Sequence, residues 1–203
     1  MASNPSQSEQ PLPYDPDAII KPSFSLGNRI RRALWGTVYV LLYRPSPRPA
    51  HAWRAMLLRL FGAKLGPRCR FYPKATIWAP WNLDCEDRVL VANGVELYNP
   101  SMLTMGSHAI VSQGAYLCGA THLYNDPAFP LVSFPMRLGA YSWICARAVM
   151  NPGVNAGAGS ILGLGAIATR DLDPLGIYAG VPAKKIGQRD PAAVPAQYRP
   201  ASN

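Results

Sequence analysis

From residue 64 onward the sequence repeats every six residues, and this period constrains the fold more than any other feature. Six consecutive hexads run from residue 138 to residue 173. All six first positions are apolar, and five of the six fifth positions are small. The first positions are Leu138, Ile144, Met150, Ala156, Leu162 and Ala168, and the fifth are Ser142, Ala148, Val154, Ser160, Ala166 and Leu172. A short fixed period predicts a stack of repeating units.

Six residues are enough for one short strand and one turn, so three hexads can close a triangular coil. In such a coil the first position points inward, and the fifth lies near a corner where a large side chain would clash. The register also holds over 65–82, 85–102 and 105–122, with two-residue slips between these blocks. We therefore predict an all-β chain that folds as a parallel β-helix. An ordinary β-sandwich is the alternative, although it needs longer alternating strands.

The chain divides into four segments of different composition. Residues 1–22 are rich in Pro, Ser, Asn and Gln and are predicted to be a disordered tail. Residues 23–63 carry two helical stretches, 26–43 and 50–61, and the prolines of RPSPRP between them predict a helical hairpin. The β-helix is expected over 64–175 with an excursion loop at 123–137, and 176–203 form a C-terminal segment.

The helical hairpin is apolar along one stripe and strongly basic. Leu26, Ile30, Leu34, Val38 and Leu41 recur at helical spacing, and residues 21–83 contain twelve Lys or Arg and no Asp or Glu. Two interpretations remain open: a helix on an anionic membrane surface, or a cap over the first coil. The longest apolar stretch has eleven residues, too few to cross a bilayer alone. No nucleic-acid-binding motif accompanies the net charge of +9.

Cysteine usage and the N-terminal sequence indicate the compartment. Cys69, Cys85, Cys118 and Cys145 lie far apart without a CxxC pair, and residues 1–20 lack a secretory pattern. We expect a reduced, cytoplasmic location, at the inner face of the membrane if the hairpin binds lipid.

Several stretches resemble a known family. SWICARAVMNPGV, GAIATRDL and YAGVPAKKIG are similar to motifs of the left-handed parallel β-helix acyltransferases with hexapeptide repeats, and the resemblance spans residues 64–189. Within that family the chain most resembles sugar O-acetyltransferases of the galactoside, maltose and nodulation-factor type. SFSLGNRIRRALW and IWAPWNL narrow the resemblance to the colanic acid biosynthesis acetyltransferases.

The resemblance implies an O-acetyltransferase that moves an acetyl group from acetyl-CoA to a sugar hydroxyl of an exopolysaccharide or lipid-linked oligosaccharide precursor. It also implies a homotrimer whose pocket lies between neighbouring subunits. Two alternatives stay open: a non-catalytic scaffold at the membrane surface, and an acyltransferase that acts on a small non-sugar acceptor.

His122 closes the last hexad before the register is lost, which places it at the root of the excursion loop. Spacing alone leaves two interpretations, a turn residue or a general base for a sugar hydroxyl. The resemblance favours the base, because MGSHAIVSQGAYLCGATH has the spacing of the family's histidine run. In the loop, Tyr124, Phe129 and Phe134 are predicted to give sugar rings an apolar face. Asp126 is predicted to orient the imidazole or to hold a sugar hydroxyl.

The resemblance assigns further residues to the site. Asn99, in ELYNPS, matches the asparagine that holds the acceptor hydroxyl, although Asn is also an ordinary turn residue in such coils. The positions that match the coenzyme A groove are Trp143, Ala146, Leu164, Thr169, Arg170 and Lys184. Leu164 departs from the small residue usual there, and VPAKKI could equally be a basic surface turn.

The histidine and cysteine positions bear on other chemistries. Only His108 and His122 of the three histidines lie in the coil, too few for a carbonic-anhydrase-like three-histidine metal site, so no metal is predicted. Cys118 lies close enough in sequence to His122 to suggest a Cys–His pair, but packing is the simpler role for a second hexad position.

Overall fold

The computed structural model describes residues 24–199 and shows a parallel β-helix of three sheets. The predicted disordered tail, 1–22, lies outside the described residues. Sheet I contains β1 (Lys64–Leu65), β4 (Leu83–Cys85), β7 (Leu103–Met105) and β12 (Met136–Leu138). Sheet II contains β2 (Arg70–Phe71), β5 (Leu90–Val91), β8 (Ile110–Val111), β13 (Trp143–Ile144), β15 (Ile161–Leu162), β17 (Gly176–Ala179) and β18 (Lys184–Gln188). Sheet III contains β3 (Thr76–Ile77), β6 (Glu96–Tyr98), β9 (Tyr116–Cys118), β14 (Val149–Met150) and β16 (Ile167–Ala168).

The hexad register is the register of the coil. Strands of successive coils pair in parallel with first position on first position, as Phe71 on Val91 and Ile144 on Leu162. The first-position side chains from Phe71 to Ala168 are all buried. Fifth positions such as Ala148 are buried at the corners, so the predicted fold class is confirmed. Each buried aliphatic side chain in this column stabilises the fold by about 1.5–3 kcal/mol.

The register slips all fall at the corner between sheets III and I. Leu65 pairs with Cys85, and Cys85 with Met105, so the first two coils each hold two residues more than three hexads. A short 3-10 helix, Pro80–Asn82, fills this corner in the first coil. The excursion of the third coil leaves from the same corner, which is where the site is built.

The N-terminal hairpin covers the open end of the first coil. Helix α1 (Leu26–Val38) continues as a π-helical turn over Tyr39–Tyr43, and helix α2 spans His51–Leu60. Ser25 caps α1 by accepting a hydrogen bond from the amide of Asn28. The side chains that face the coil are buried: Trp35, Tyr43, Leu57 and Leu58.

Side chains of the hairpin satisfy backbone carbonyls that face away from the rest of the coil. The first coil has no preceding coil to pair with, so its outer carbonyls need other donors. Trp35 Nε1 donates to the Ile77 carbonyl at 2.7 Å, and Arg54 Nε donates to the Phe71 carbonyl at 2.6 Å. Burial lowers the pKa of the fully buried Arg54. The inner face of the hairpin therefore acts as the cap that the sequence offered as one of two interpretations.

The outer face of the same hairpin remains apolar and exposed. Its large exposed side chains are Leu26, Ile30, Leu34, Val40, Leu41, Leu42, Trp53, Met56 and Leu60. Across residues 24–199, none of the helices has the length and apolar character needed to span a bilayer. The hairpin thus has two apolar faces, and the coil covers one of them.

Candidate active site

The excursion leaves the third coil as a β-hairpin. Its strands, β10 (Ala120–His122) and β11 (Leu131–Ser133), pair antiparallel with His122 opposite Leu131. The coil resumes with β12 at Met136, so the excursion begins and ends slightly before the predicted bounds of 123–137. His122 is exposed and lies in a strand of the excursion rather than at its root.

The root of the excursion is anchored to the preceding coil. A Cβ at Gly119 would lie 2.5 Å from the carbonyl oxygen of Tyr98, so only glycine fits this close approach. The Gly119 amide donates to that carbonyl at 2.7 Å. On the returning strand, the Ser133 hydroxyl lies 2.7 Å from the Ser101 hydroxyl. Both strands of the excursion are therefore tied to the coil below.

A backbone carbonyl fixes the proton on the His122 ring. Nδ1 of His122 lies 2.6 Å from the carbonyl oxygen of Phe129. Because a carbonyl can only accept, Nδ1 must carry the hydrogen. In the neutral ring Nε2 then has the free lone pair, which is the form that a general base requires.

Asp126 shapes the turn that presents this carbonyl. Phe129 has a φ of 46°, in the left-handed region. Asp126 Oδ1 accepts a hydrogen bond from the Ala128 amide at 2.8 Å, and the Asp126 carbonyl accepts one from the Phe129 amide at 2.9 Å. One of the two roles expected for the Asp126 carboxylate was to orient the imidazole. In the structure the Phe129 carbonyl, and not this carboxylate, is bonded to Nδ1. Sequence reasoning missed this partner because any residue type supplies a carbonyl.

The aromatic side chains of the excursion differ in their surroundings. Tyr124 and Phe129 are exposed near β10, the strand that carries His122. Their contacts with sugar rings remain a prediction. Phe134 packs against the next coil at Gly153, where an added Cβ would lie 3.3 Å from the Phe134 Cβ.

Asn99 lies inside the corner below the excursion, and its amide holds backbone groups. Its Oδ1 accepts from the Ala79 amide at 3.1 Å. Its Nδ2 donates to the carbonyls of Ala79 at 2.8 Å and Asn82 at 3.2 Å. The residue is 3% exposed. This geometry gives Asn99 a positioning role in the corner, whereas the resemblance implied a direct bond to the acceptor hydroxyl.

Several residues assigned to the coenzyme gather at the corner between sheets II and III. The Gly165 amide donates to the Ala146 carbonyl at 3.0 Å, which stacks Leu164 and Ala146 in successive coils. Leu164 is 76% exposed, so it stands outside the coil as a surface residue. Lys184 begins β18 just after Ala183, whose amide donates to the Ile167 carbonyl at 2.8 Å. Trp143 lies on sheet II next to this corner.

Thr169 and Arg170 lie at the opposite end of sheet III. They follow β16, whose Ile167 pairs with Val149, and Val149 pairs in turn with Tyr116 of β9. This places Thr169 and Arg170 at the corner of the excursion, two coils further along. Lys185, beside Lys184, pairs with Asp173 at 3.0 Å, and this bond raises the pKa of Lys185.

Within one chain the imidazole and the groove corner lie on opposite sides of sheet III. Ala146 precedes β14 at one end of that sheet, and His122 follows β9 at the other end. Three residues of extended strand already span about 10 Å. Within one chain, His122 and the corner at Ala146 are therefore separated by about the length of a strand of sheet III.

Cys118 is engaged away from the imidazole. Its thiol donates to the Ala120 carbonyl, with a sulfur to oxygen distance of 3.2 Å. Among residues 24–199 no group of three or more His, Cys, Asp or Glu side chains is arranged to hold a metal ion. The side chain with the geometry of a base in the excursion is His122.

Sequence comparison finds a relative over most of the chain. WcaF of Escherichia coli (strain K12), named for acetyltransferase activity in colanic acid biosynthesis, is 34% identical over 166 residues, 82% of this chain and 91% of that protein. No model of a protein family matches this chain.

Structure comparison agrees on the fold. A maltose O-acetyltransferase from Clostridium difficile 630 superposes with a TM-score of 0.76 at 15% identity, over 86% of this chain and 96% of that one. A hexapeptide-repeat acetyltransferase from Vibrio cholerae, complexed with acetyl coenzyme A, superposes with a TM-score of 0.73 at 21% identity, over 83% and 92%. At these identities the likeness shows a shared architecture.

Proposed function

The chain belongs to the hexapeptide-repeat acetyltransferase family that includes WcaF, and from this premise we propose that it is an acetyl-CoA-dependent sugar O-acetyltransferase. The acceptor is a hydroxyl of an exopolysaccharide or lipid-linked oligosaccharide precursor. The name of WcaF supports the acceptor class, and the acetyl coenzyme A bound to the Vibrio cholerae protein supports the donor.

The bond between His122 Nδ1 and the Phe129 carbonyl is the observation that carries the mechanism. Nε2 of His122 removes the proton of the acceptor hydroxyl as its oxygen attacks the thioester carbonyl. The tetrahedral intermediate collapses to the acetyl ester, and the proton on Nε2 passes to the departing thiolate of coenzyme A. The transfer needs no acyl-enzyme intermediate.

The proposed assembly is a homotrimer with the site at each subunit boundary. The separation of His122 from the corner at Ala146 and Leu164 supports it, because a neighbouring subunit can bring the second corner up to the imidazole. In the groove, Trp143, Thr169, Arg170 and Lys184 are proposed to contact the coenzyme, with the two cations at its phosphates. A closed threefold arrangement also covers outer faces of the coil.

Acceptor-dependent release of thiol from acetyl-CoA tests the proposed function. Purified protein with acetyl-CoA and a panel of oligosaccharides is expected to release coenzyme A and form an acetyl ester that mass spectrometry detects on the sugar. Saturable binding of acetyl-CoA without transfer to any sugar, together with transfer to a small non-sugar alcohol, would contradict the sugar assignment.

The outer face of the hairpin is proposed to lie on an anionic membrane surface. Leu26, Ile30 and Leu34 form an exposed apolar stripe on α1. Arg29 on the same helix and Arg44 after the π-helical turn are also exposed. Apolar burial and attraction to anionic lipid add together for such a helix. A cytoplasmic position at the inner face of the membrane follows from this proposal and suits a lipid-linked acceptor.

Leu34→Glu is expected to weaken binding to phosphatidylcholine vesicles that contain phosphatidylserine by about tenfold, because it puts a negative charge where the proposal buries a leucine in the lipid surface. Leu34 is 58% exposed, so folding is unaffected. Ile186→Glu is the matched control, since Ile186 is 68% exposed on the last strand of the coil. Vesicle flotation measures binding. Equal flotation of both variants and the unsubstituted protein would contradict the proposal.

A further inference from the structure

A groove of about 530 Å³ crosses the outer surface of sheet II, and the roles given above do not account for it. Four arginines border it, Arg68, Arg70, Arg88 and Arg189, and the described residues that line it include no Asp or Glu. We propose that this arginine groove binds the anionic part of the acceptor saccharide. The proposal rests on the acetyltransferase function proposed above and specifies its substrate class.

Side chains at the sixth hexad position form the floor of the arginine groove. Arg70, Leu90, Ile110 and Trp143 are register partners in adjacent strands, so their side chains form one outward column. Three strand spacings make this column about 14 Å long. It begins with a guanidinium group, continues with two aliphatic side chains and ends with an indole ring. The order suits a chain of sugar rings with a charged group at one end.

The wall of the groove comes from the fourth hexad position. Arg68, Arg88, His108 and Tyr141 follow one another along the corner between sheets I and II, each with φ between 57° and 61°. A left-handed backbone conformation costs a non-glycine residue about 1–2 kcal/mol, yet all four of these positions carry a long or aromatic side chain. The His108 ring stacks on Tyr141 with centroids 4.5 Å apart. His108 therefore belongs to this wall.

The charges of the groove are only partly neutralised. Asp87 pairs with Arg68 at 2.6 Å and with Arg88 at 2.5 Å, so one carboxylate serves two guanidinium groups. Arg189 donates to the neutral carbonyl of Tyr141 at 2.9 Å. A cleft lined by one sign of charge concentrates its field and attracts anions. Planar guanidinium groups match the paired oxygens of a carboxylate or a phosphate.

Trp143 joins the groove to the proposed coenzyme surface. Its indole ends the column that begins at Arg70, and the corner at Ala146 follows Trp143 directly in the chain. Arg170 and Lys184, the cations proposed for the coenzyme phosphates, do not line the groove. An acceptor anchored at Arg70 and Arg88 would extend over the aliphatic floor toward Trp143. Its anionic group is a uronate carboxylate or a glycosyl diphosphate, which share the oxygen geometry that arginine binds.

Titration calorimetry on the full chain tests the proposal with three probes. They are a hyaluronan tetrasaccharide, the same tetrasaccharide with its carboxylates reduced to alcohols, and uridine diphosphate glucose. In the presence of saturating coenzyme A, at least one of the two anionic probes is expected to bind. If the hyaluronan tetrasaccharide binds, its reduced form is expected to bind at least tenfold more weakly. Hyaluronan reports a carboxylate site and uridine diphosphate glucose a diphosphate site.

Arg70→Gln is expected to raise the Kd of the bound anionic probe about tenfold, because it removes a charged hydrogen bond. Lys74→Gln is the matched control: it removes one exposed cation outside the groove and is expected to leave the Kd unchanged.

Three results would overturn the proposal. One is absence of binding by both anionic probes, another is equal loss in Arg70→Gln and Lys74→Gln, and the third is displacement of the probe by coenzyme A, which would assign the groove to the coenzyme. Acetyl transfer to a neutral acceptor, measured in parallel, keeps the two proposals apart. If it persists while anions do not bind, the transferase function stands and the arginine groove proposal fails.

Discussion

His122→Ala is expected to lower kcat/KM for acetyl transfer by about two to four orders of magnitude, the usual contribution of a positioned general base. The Phe129 carbonyl holds the ring so that Nε2 is the free base, and alanine leaves no group to take the hydroxyl proton. The side chain is exposed, so the fold and the affinity for acetyl-CoA are expected to persist. Thiol release gives the rate, and calorimetry with acetyl-CoA gives the affinity.

Leu123→Ala is the matched control, since Leu123 is the exposed neighbour in the same excursion, and its activity is expected to stay near that of the unsubstituted protein. Free imidazole is expected to restore part of the activity of His122→Ala, because it can enter the vacated space and accept the proton. A His122→Ala protein that transfers acetyl at the unsubstituted rate would make His122 a turn residue and remove the proposed mechanism.

Asn99→Ala is expected to lower the free energy of unfolding by about 3 kcal/mol, because it leaves the Ala79 amide and the Asn82 carbonyl without partners. The Ala79 carbonyl also loses the bond from Asn99 but keeps one from the Asn82 amide. The excursion that carries His122 leaves the coil at this corner. Loosening the corner is therefore expected to lower kcat together with stability. Urea unfolding followed by circular dichroism measures the effect.

Asn93→Ala is the control, since the Asn93 side chain accepts one exposed hydrogen bond, from the Lys74 amide, and should cost less than about 1 kcal/mol. Asn99→Asp separates the two roles of Asn99. A carboxylate cannot donate to the two carbonyls, so it is expected to destabilise the fold as alanine does. Full stability in Asn99→Asp together with a large fall in kcat would favour the direct contact with the acceptor hydroxyl that the resemblance implied.

Residues of the site could be predicted from the sequence where the signal is the spacing within one continuous stretch. His122 could be singled out because it ends a hexad run just before the register is lost. The partner of its ring could not, because the Phe129 carbonyl is backbone and reaches Nδ1 only after the hairpin folds. Asn99 shows the same limit: its partners, Ala79 and Asn82, belong to the preceding coil, and nothing local to ELYNPS identifies them.

The arginine groove escaped notice in the sequence for a related reason. Arg68, Arg88 and His108 are spaced by one coil each, and all occupy the fourth hexad position, so a signal existed. It is visible only when the coils are aligned on one another, and the excursion in the third coil displaces Tyr141 and Trp143 from the simple spacing. The charge excess of residues 21–83 was evident, but its division between the hairpin and sheet II was not.

The architecture of this protein follows from the periodicity of its sequence. A hexad that repeats its apolar first and small fifth positions can bury its side chains in one way, by stacking coils, so periodicity was sufficient for the fold. Tertiary structure decided the faces and the partners. It showed which side of the hairpin caps the coil, which carbonyl orients His122, and which side chains from distant coils share a groove. Those choices depend on contacts between residues far apart in the chain, and a linear pattern carries no record of such distances.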